Sequence, residues 1–409
     1  MEINQRIKKI AIVVGFIVVV IFLAWAIFTL FFKSSPLVED EQVIIDSITG
    51  LPIVGEGGDR LIMPDELDQG GSTGGTNLPA IRSEASLVKN AIALTQEEVL
   101  GVAMSSGGSL NYYNKGTGKF YQYLNGQSRE ISDKVFHDVD NVTWSNNGDR
   151  VVLEYPDGYN IVYDFKTKKQ ISLPKEMKDF SFDNTNQRIA AKVVTDQPDN
   201  NWIVVSNYDG SGLSFVEHLG DKEKDVQIDW SPAGEIVATY REGIDFERQE
   251  VFPIGQSGGN IKSLIVEGRG FESQWSEEGD FIMYSVYDST SGYRPTLNLA
   301  DMGGDWTGSY NVSLNLNTWS NKCTFTNDSQ RIYCAVPSSM PELAGIFPEL
   351  TEGIADDFYE INLLTGTKRM IGVLNDDEAV SATNLSLSED GSTLYFVDQN
   401  TGYLQQIDL

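Results

Sequence analysis

Carboxylates are the main chemical resource of this 409-residue chain, which carries 59 Asp and Glu against 30 Lys and Arg. Its only histidines are His137 and His218, and it has two cysteines. Protein zinc sites draw three or four ligands largely from His and Cys, so that chemistry is nearly excluded, and His-based acid–base catalysis is disfavoured. The acids Asp157, Asp196, Asp199, Asp245, Asp288, Asp356 and Asp357 fall in predicted loops, with Asp138, Asp140 and Asp225 in another set. Gathered at one mouth they would hold a cation or a polar ligand. Asp and Gly are also ordinary turn formers, which accounts for the enrichment more simply. No Asp-x-Asp-x-Asp-Gly loop for calcium occurs. Carboxylates paired for glycoside hydrolysis must lie about 5–10 Å apart, a relation that sequence does not specify. No metal site and no cofactor is expected.

Two loops differ in character. Tyr287, Asp288, Tyr293 and Arg294 crowd one segment, and Tyr and Arg are favoured at binding hot spots. Residues 337–356 form a long insertion containing Met340, Pro341, Leu343, Ile346, Phe347, Pro348 and Leu350. So much apolar surface either folds over as a plug or meets a partner. Gly255-Gln256-Ser257-Gly258-Gly259 matches the nucleophile-elbow pattern, but that elbow needs a helix after it. Here a strand, Ile261–Ile265, is expected instead, and the match reads as a turn.

These loops hang on a repeat. Trp144-Ser145-Asn146-Asn147-Gly148, Trp230-Ser231-Pro232-Ala233-Gly234 and Trp275-Ser276-Glu277-Glu278-Gly279 are its clearest copies. Weaker ones begin at Met104, Phe182, Phe325 and Leu387. Their second positions are 105, 145, 183, 231, 276, 326 and 388. Each copy reads as a hairpin followed by an apolar strand such as Val151-Val152-Leu153 or Ile236-Val237-Ala238. Consecutive apolar residues mean that both faces of the strand are covered. Two further short strands complete each unit, and four strands in about 40–45 residues make a propeller blade. The expectation is an all-β, seven-bladed β-propeller of four-stranded antiparallel blades. Six blades is the alternative, because the Ser105 unit is degenerate. The last unit stops after three strands, and Ala91–Thr95 supplies the missing fourth, closing the ring.

The repeats resemble those of TolB-type, WD-like bacterial propellers, whose blade hairpin reads Trp-Ser-Pro-Asp-Gly. The resemblance covers about residues 88–409 and implies the architecture alone. This chain lacks the α/β domain that precedes the TolB propeller, so no partner-binding role carries over.

Cys323 and Cys334 fall in one hairpin. If Thr326 pairs with Arg331, Cys323 faces Cys334 across the strands, at a separation that suits a disulfide.

Ahead of the propeller, residues 10–32 form a charge-free run of 23 residues, long enough to span a bilayer. Arg6, Lys8 and Lys9 precede the run, while Glu39, Asp40, Glu41 and Asp46 follow it. Residues 1–9 should therefore stay cytoplasmic and the propeller should lie outside, at the cell surface or in a periplasm. The run exceeds a cleavable signal core, which favours an uncleaved signal anchor. Residues 33–87, with Gly70-Gly71-Ser72-Thr73-Gly74-Gly75, read as a flexible stalk.

Charge narrows the partners. Residues 1–33 hold four basic side chains and one acid, leaving 26 basic and 58 acidic residues beyond them. Such a surface repels phosphate backbones, so nucleic acid is not an expected partner. The leading expectation is a binding or scaffold module for a protein or envelope polymer. The candidate rim residues are Asp157, Asp199, Asp245, Tyr287, Asp288, Tyr293, Arg294, Met340 and Phe347. Alternatives are a propeller hydrolase or lyase acting on envelope glycans, and a structural subunit of an envelope complex.

Overall fold

The computed structural model describes residues 88–259, 261–374 and 379–409. The expected tail 1–9, membrane span 10–32 and stalk 33–87 lie outside the described residues. Within them, no helix is long and apolar enough to cross a membrane.

Two short strands open the described chain, β1 (Val88–Lys89) and β2 (Ile92–Ala93). Seven sheets follow in order, each an up-and-down set of neighbouring strands. Blade 1 runs from β3 (Val99–Met104) to β6 (Gln127–Glu130), and blade 2 from β7 (Asn141–Trp144) to β10 (Lys169–Leu173). Blade 3 spans β11 (Met177–Phe182) to β14 (Ser214–His218), and blade 4 spans β15 (Val226–Ile228) to β18 (Leu264–Glu267). Blade 5 spans β19 (Arg269–Trp275) to β22 (Asn311–Ser313), and blade 6 spans β23 (Cys323–Phe325) to β26 (Thr367–Leu374). Blade 7 holds β27 (Ala382–Leu387), β28 (Thr393–Asp398) and β29 (Leu404–Asp408). The fold is a seven-bladed β-propeller, and the degenerate Ser105 unit is a full blade.

Closure follows the expected scheme. β2 pairs antiparallel with β29, Ile92 opposite Gln406 and Ala93 opposite Gln405, and so completes blade 7. The Leu94 amide donates to the Leu404 carbonyl at 2.8 Å, and the Leu404 amide donates to Thr95 Oγ1 at 3.0 Å. Joining the start of the ring to its end removes an edge that would otherwise template aggregation. β1 adds a feature that the sequence did not suggest. It pairs in parallel with β26, Val88 opposite Val373, and gives blade 6 a fifth strand.

The repeat has a common hydrogen-bond basis. At all seven second positions the backbone amide donates back across the turn: Ser105 to Ser109, Ser145 to Arg150, Asp183 to Arg188, Ser231 to Ile236, Ser276 to Phe281, Thr326 to Arg331 and Ser388 to Thr393. The side chain closes the same turn in several copies. Ser145 Oγ accepts from the Arg150 amide, Asp183 Oδ1 from Arg188, and Ser388 Oγ from Thr393. A short side-chain acceptor is what this turn requires, which explains Ser, Thr or Asp at every copy.

The core lies between blades. Seven apolar clusters fill the seven blade-to-blade junctions. In β8 (Arg150–Glu154), Val151 and Leu153 pack towards blade 1 while Val152 packs towards blade 3. Ile332, Cys334 and Val336 of β24 (Arg331–Pro337) likewise face blade 5, whereas Tyr333 and Ala335 face blade 7. Alternation along a strand thus sends successive side chains into different clusters, and every position has an apolar neighbour. Cys323 and Cys334 face each other with Cα atoms 4.1 Å apart and form a disulfide, both under 2% exposed.

Candidate binding rim at the second mouth

Strand direction sorts the loops between two mouths. The first, innermost strand of each blade runs to the Trp-Ser turns, which ring the first mouth. Connections from second to third strands, and from one blade to the next, reach the second mouth. A cavity of about 670 Å³ at the first mouth touches all seven turns and includes Asp229, Glu277 and Glu389. A cleft of about 570 Å³ opens at the second mouth between blades 5, 6 and 7.

The candidate acids reach the second mouth but mostly serve their own turns. Asp157 Oδ1 accepts from the Tyr159 amide at 3.1 Å. Asp245 accepts from the Glu247 amide at 2.9 Å and from Arg248 Nε and Nη2 at 2.9 and 2.8 Å. Those Arg248 contacts hold its carboxyl below the usual range. Asp288 Oδ1 accepts from Thr290 Oγ1 and the Ser291 amide, each at 2.7 Å. Asp199 is exposed on a short 3-10 turn, with its carbonyl 3.1 Å from His218 Nε2. Local turn chemistry therefore occupies three of the four carboxylates. Among the described residues no three His, Cys, Asp or Glu side chains converge to hold a metal.

The two distinctive loops do come together. The insertion leaves β24 after Pro337 and rejoins the sheet at β25 (Asp356–Asn362). Arg294 clamps it to blade 5: Nε donates to the Met340 carbonyl at 3.0 Å, and Nη2 reaches Glu342 Oε1 at 3.3 Å. Backbone bonds reinforce the clamp, from the Leu343 amide to the Gly292 carbonyl at 2.9 Å and from Gly345 to Tyr293 at 2.8 Å. Tyr293 takes a left-handed backbone, φ 57°, to turn that carbonyl towards the insertion. Tyr287 lies so close beneath Gly345 that a Cβ there would sit 2.5 Å from the tyrosine Cβ, so only glycine fits.

The insertion both walls the cleft and keeps apolar side chains exposed. Pro348, Glu349, Thr351 and Glu352 wall the cleft. Leu343, Ile346, Phe347 and Leu350 remain 41–47% exposed. Ala344 alone is fully buried beneath them.

Beneath the cleft sits a group that sequence reasoning missed. Lys322 Nζ pairs with Asp356 Oδ2 at 2.8 Å, both side chains almost wholly buried, and lies 3.1 Å from Ser381 Oγ. The Ala382 amide donates to the same Asp356 oxygen at 2.7 Å. Burial outweighs these partners and pushes the Asp356 carboxyl up to about 6. Asp356 was visible only as one loop acid among several, and nothing in sequence tied it to a lysine 34 positions earlier. Trp319 and Glu272 also line the cleft. Desolvation raises the Glu272 carboxyl, although the residue keeps an exposed surface.

Gly255 ends β17 (Arg248–Gly255), and Gln256–Ser257 form a turn with no helix behind them. The elbow-like pattern is therefore a turn, as expected. The fourth strand of that blade starts at Leu264, three residues later than anticipated.

Comparison with known proteins shows a fold and no family. No family model matches the chain, and no curated protein matches it in sequence. Solved structures do. The Cps50 (Swd1) β-propeller domain of Myceliophteria thermophila superposes with a TM-score of 0.53 at 10% identity, covering 78% of this chain and 99% of that one. An oligogalacturonate lyase in complex with manganese gives 0.52 at 11% identity, covering 80% and 98%. The oligogalacturonate lyase of Vibrio parahaemolyticus gives 0.51 at 9% identity, with the same coverage. One neighbour is a β-propeller domain and two are lyases, so the likeness shows the propeller fold and leaves function to the site.

Proposed function

We propose that this chain is a membrane-tethered, extracytoplasmic propeller with TolB-like repeats that binds a protein through its second mouth. One observation carries the reading. Four large apolar side chains, Leu343, Ile346, Phe347 and Leu350, are held exposed on an insertion that Arg294 fixes to the neighbouring blade. Exposed apolar side chains on a fixed support are the usual mark of a protein-binding face. The charge-free run 10–32 and its flanking charges support the tether and its orientation.

The test places a photo-reactive amino acid at Phe347 of the full chain in intact cells. A discrete protein adduct, absent when the probe sits at exposed Phe215 of blade 3, is the expected result. Adducts only to glycan, or none at either position, would overturn the reading. Protease added to intact cells should remove the propeller while sparing residues 1–32.

Cleavage of envelope glycans is the second reading, and it draws on Glu272, Glu349 and Glu352 around the cleft. Release of new reducing ends or unsaturated products from purified envelope polysaccharide would support it.

A further inference from the structure

Loops of three successive blades are knitted into a single row at the second mouth. Blade 4 contributes the hairpin of β16 (Ile236–Gly243) and β17, whose eight-residue strands are among the longest described here. At its tip Phe246 is 95% exposed and Ile244 44%. Glu247 Oε2 beside it accepts from the Ser289 amide of blade 5 at 3.0 Å. Arg269, on the first strand of blade 5, donates to the Asp245 carbonyl at 2.7 Å. From Ser289 the row continues through Tyr293 and Arg294 into the insertion of blade 6.

Cations along this row are already engaged. Arg248 is paired with Asp245, Arg294 with Glu342, and Lys322 with Asp356. The carboxylates of Glu349 and Glu352, which wall the cleft on either side of Leu350, accept no hydrogen bond and meet no cation among the described residues. Even with Arg269 counted, which meets only the Asp245 carbonyl, carboxylates outnumber cations along this row, within a chain of net charge −29. Trp319 in the same cleft adds an indole, a ring on which cations stack favourably.

We propose that blades 4 to 6 form one continuous docking surface for a segment of a protein partner in which apolar side chains are flanked by lysine or arginine. Phe246 and Phe347 are its two apolar anchor points, and the cleft walled by Glu349 and Glu352 receives a basic side chain. The proposal rests on the protein-binding reading of this mouth and adds the chemistry of the partner. Phe246 is new to the site. Nothing in the sequence set it apart from other loop residues, and only its position at the tip of an over-long hairpin exposes it. An anionic lipid surface is disfavoured by the same carboxylates.

A random-peptide phage library, selected on the immobilised full chain, tests this directly. Selected peptides should be enriched in Lys or Arg interleaved with Leu, Ile, Phe or Trp. A synthetic copy of the best one should bind about tenfold more weakly to Phe246→Ser and to Phe347→Ser. Glu349→Gln/Glu352→Gln should weaken it and reduce its sensitivity to salt. Because Phe246 is almost wholly exposed, Phe246→Ser should keep the parent melting temperature, so lost binding cannot be blamed on unfolding. Selection of neutral or acidic peptides, or binding indifferent to these variants, overturns the proposal. So does a photo-adduct from Phe347 of the full chain in intact cells that is made with anionic lipid in place of protein. A protein adduct from Phe347 in cells combined with failure of the peptide test would leave the protein-binding reading standing and remove only the inference about partner chemistry.

Discussion

Arg294 Nε donates to the Met340 carbonyl at 3.0 Å, across the junction between the fifth and sixth blades. A guanidinium on one blade thereby fixes the backbone of an insertion, residues 338–355, that belongs to the next. Its Nη1 also donates to the Ser291 carbonyl at 3.0 Å, so the arginine orders its own loop as well. The ion pair with Glu342 adds little, because the glutamate is largely exposed and water screens it.

Arg294→Ala should free the insertion without unfolding the ring. The expected loss is about 1–2 kcal/mol, from hydrogen bonds of a charged donor to backbone acceptors. Limited proteolysis should then cut within 338–355 sooner than in the parent. Gly345→Ala should act alike by colliding with Tyr287. Unchanged cleavage kinetics in both variants would show that the clamp does not hold the insertion.

Lys322 and Asp356 form an almost wholly buried pair, and breaking one partner strands the other. Lys322→Met should cost about 3–5 kcal/mol, whereas Lys322→Met/Asp356→Leu should recover much of that. Thermal unfolding of both variants at one pH gives the comparison. A double variant no more stable than the single would refute the stranded-charge account.

Asp229 lines the first-mouth cavity with no charged partner among the described residues, and burial pushes its carboxyl up to about 7 from an ordinary 3.8. The folded state therefore holds this proton more tightly than the unfolded chain does. Its contribution to stability is full below pH 3.8 and is lost as pH rises through about 7. Asp356, raised to about 6, acts in the same sense over a lower window. Asp229→Asn should raise the melting temperature by about 1–3 °C at pH 8 and leave it nearly unchanged at pH 4. Melting curves at the two pH values decide this.

Closure of the ring depends on Thr95, whose Oγ1 accepts from the buried Leu404 amide. Thr95→Val keeps the shape and removes the acceptor, which should cost about 1–3 kcal/mol. Hydrogen exchange should rise first in β29. Uniform loss of protection around the ring would instead mean that the seven blades unfold together.

Much of the fold was legible because each blade solves the same local problem. The turn needs a short polar side chain after an aromatic or apolar residue, and the next strand needs apolar side chains on both faces. These demands recur every 38–62 residues, from 105 to 388, and can be counted. The disulfide was legible for a related reason, since a hairpin turn fixes the register that brings Cys323 opposite Cys334. Tyr293, Arg294, Met340 and Phe347 could be singled out by type and by their lack of fit to the blade pattern.

Other relations had no local signal. Lys322 and Asp356 meet because the connection into blade 6 passes under the point where its insertion ends. Arg294 meets Met340 because blades 5 and 6 are neighbours, 46 residues apart in sequence. Phe246 is exposed because its hairpin outgrows the blade that carries it. β1 pairs with β26 across more than 280 positions. The sequence by itself determined the repeat, its strands, the closing segment and the acidic character, since turn chemistry and strand alternation act over a few residues. Tertiary structure alone decided which loops share a mouth, which carboxylates are spent on their own turns, and which side chains stay exposed. Those properties depend on ring closure, which brings together residues that no short-range rule connects.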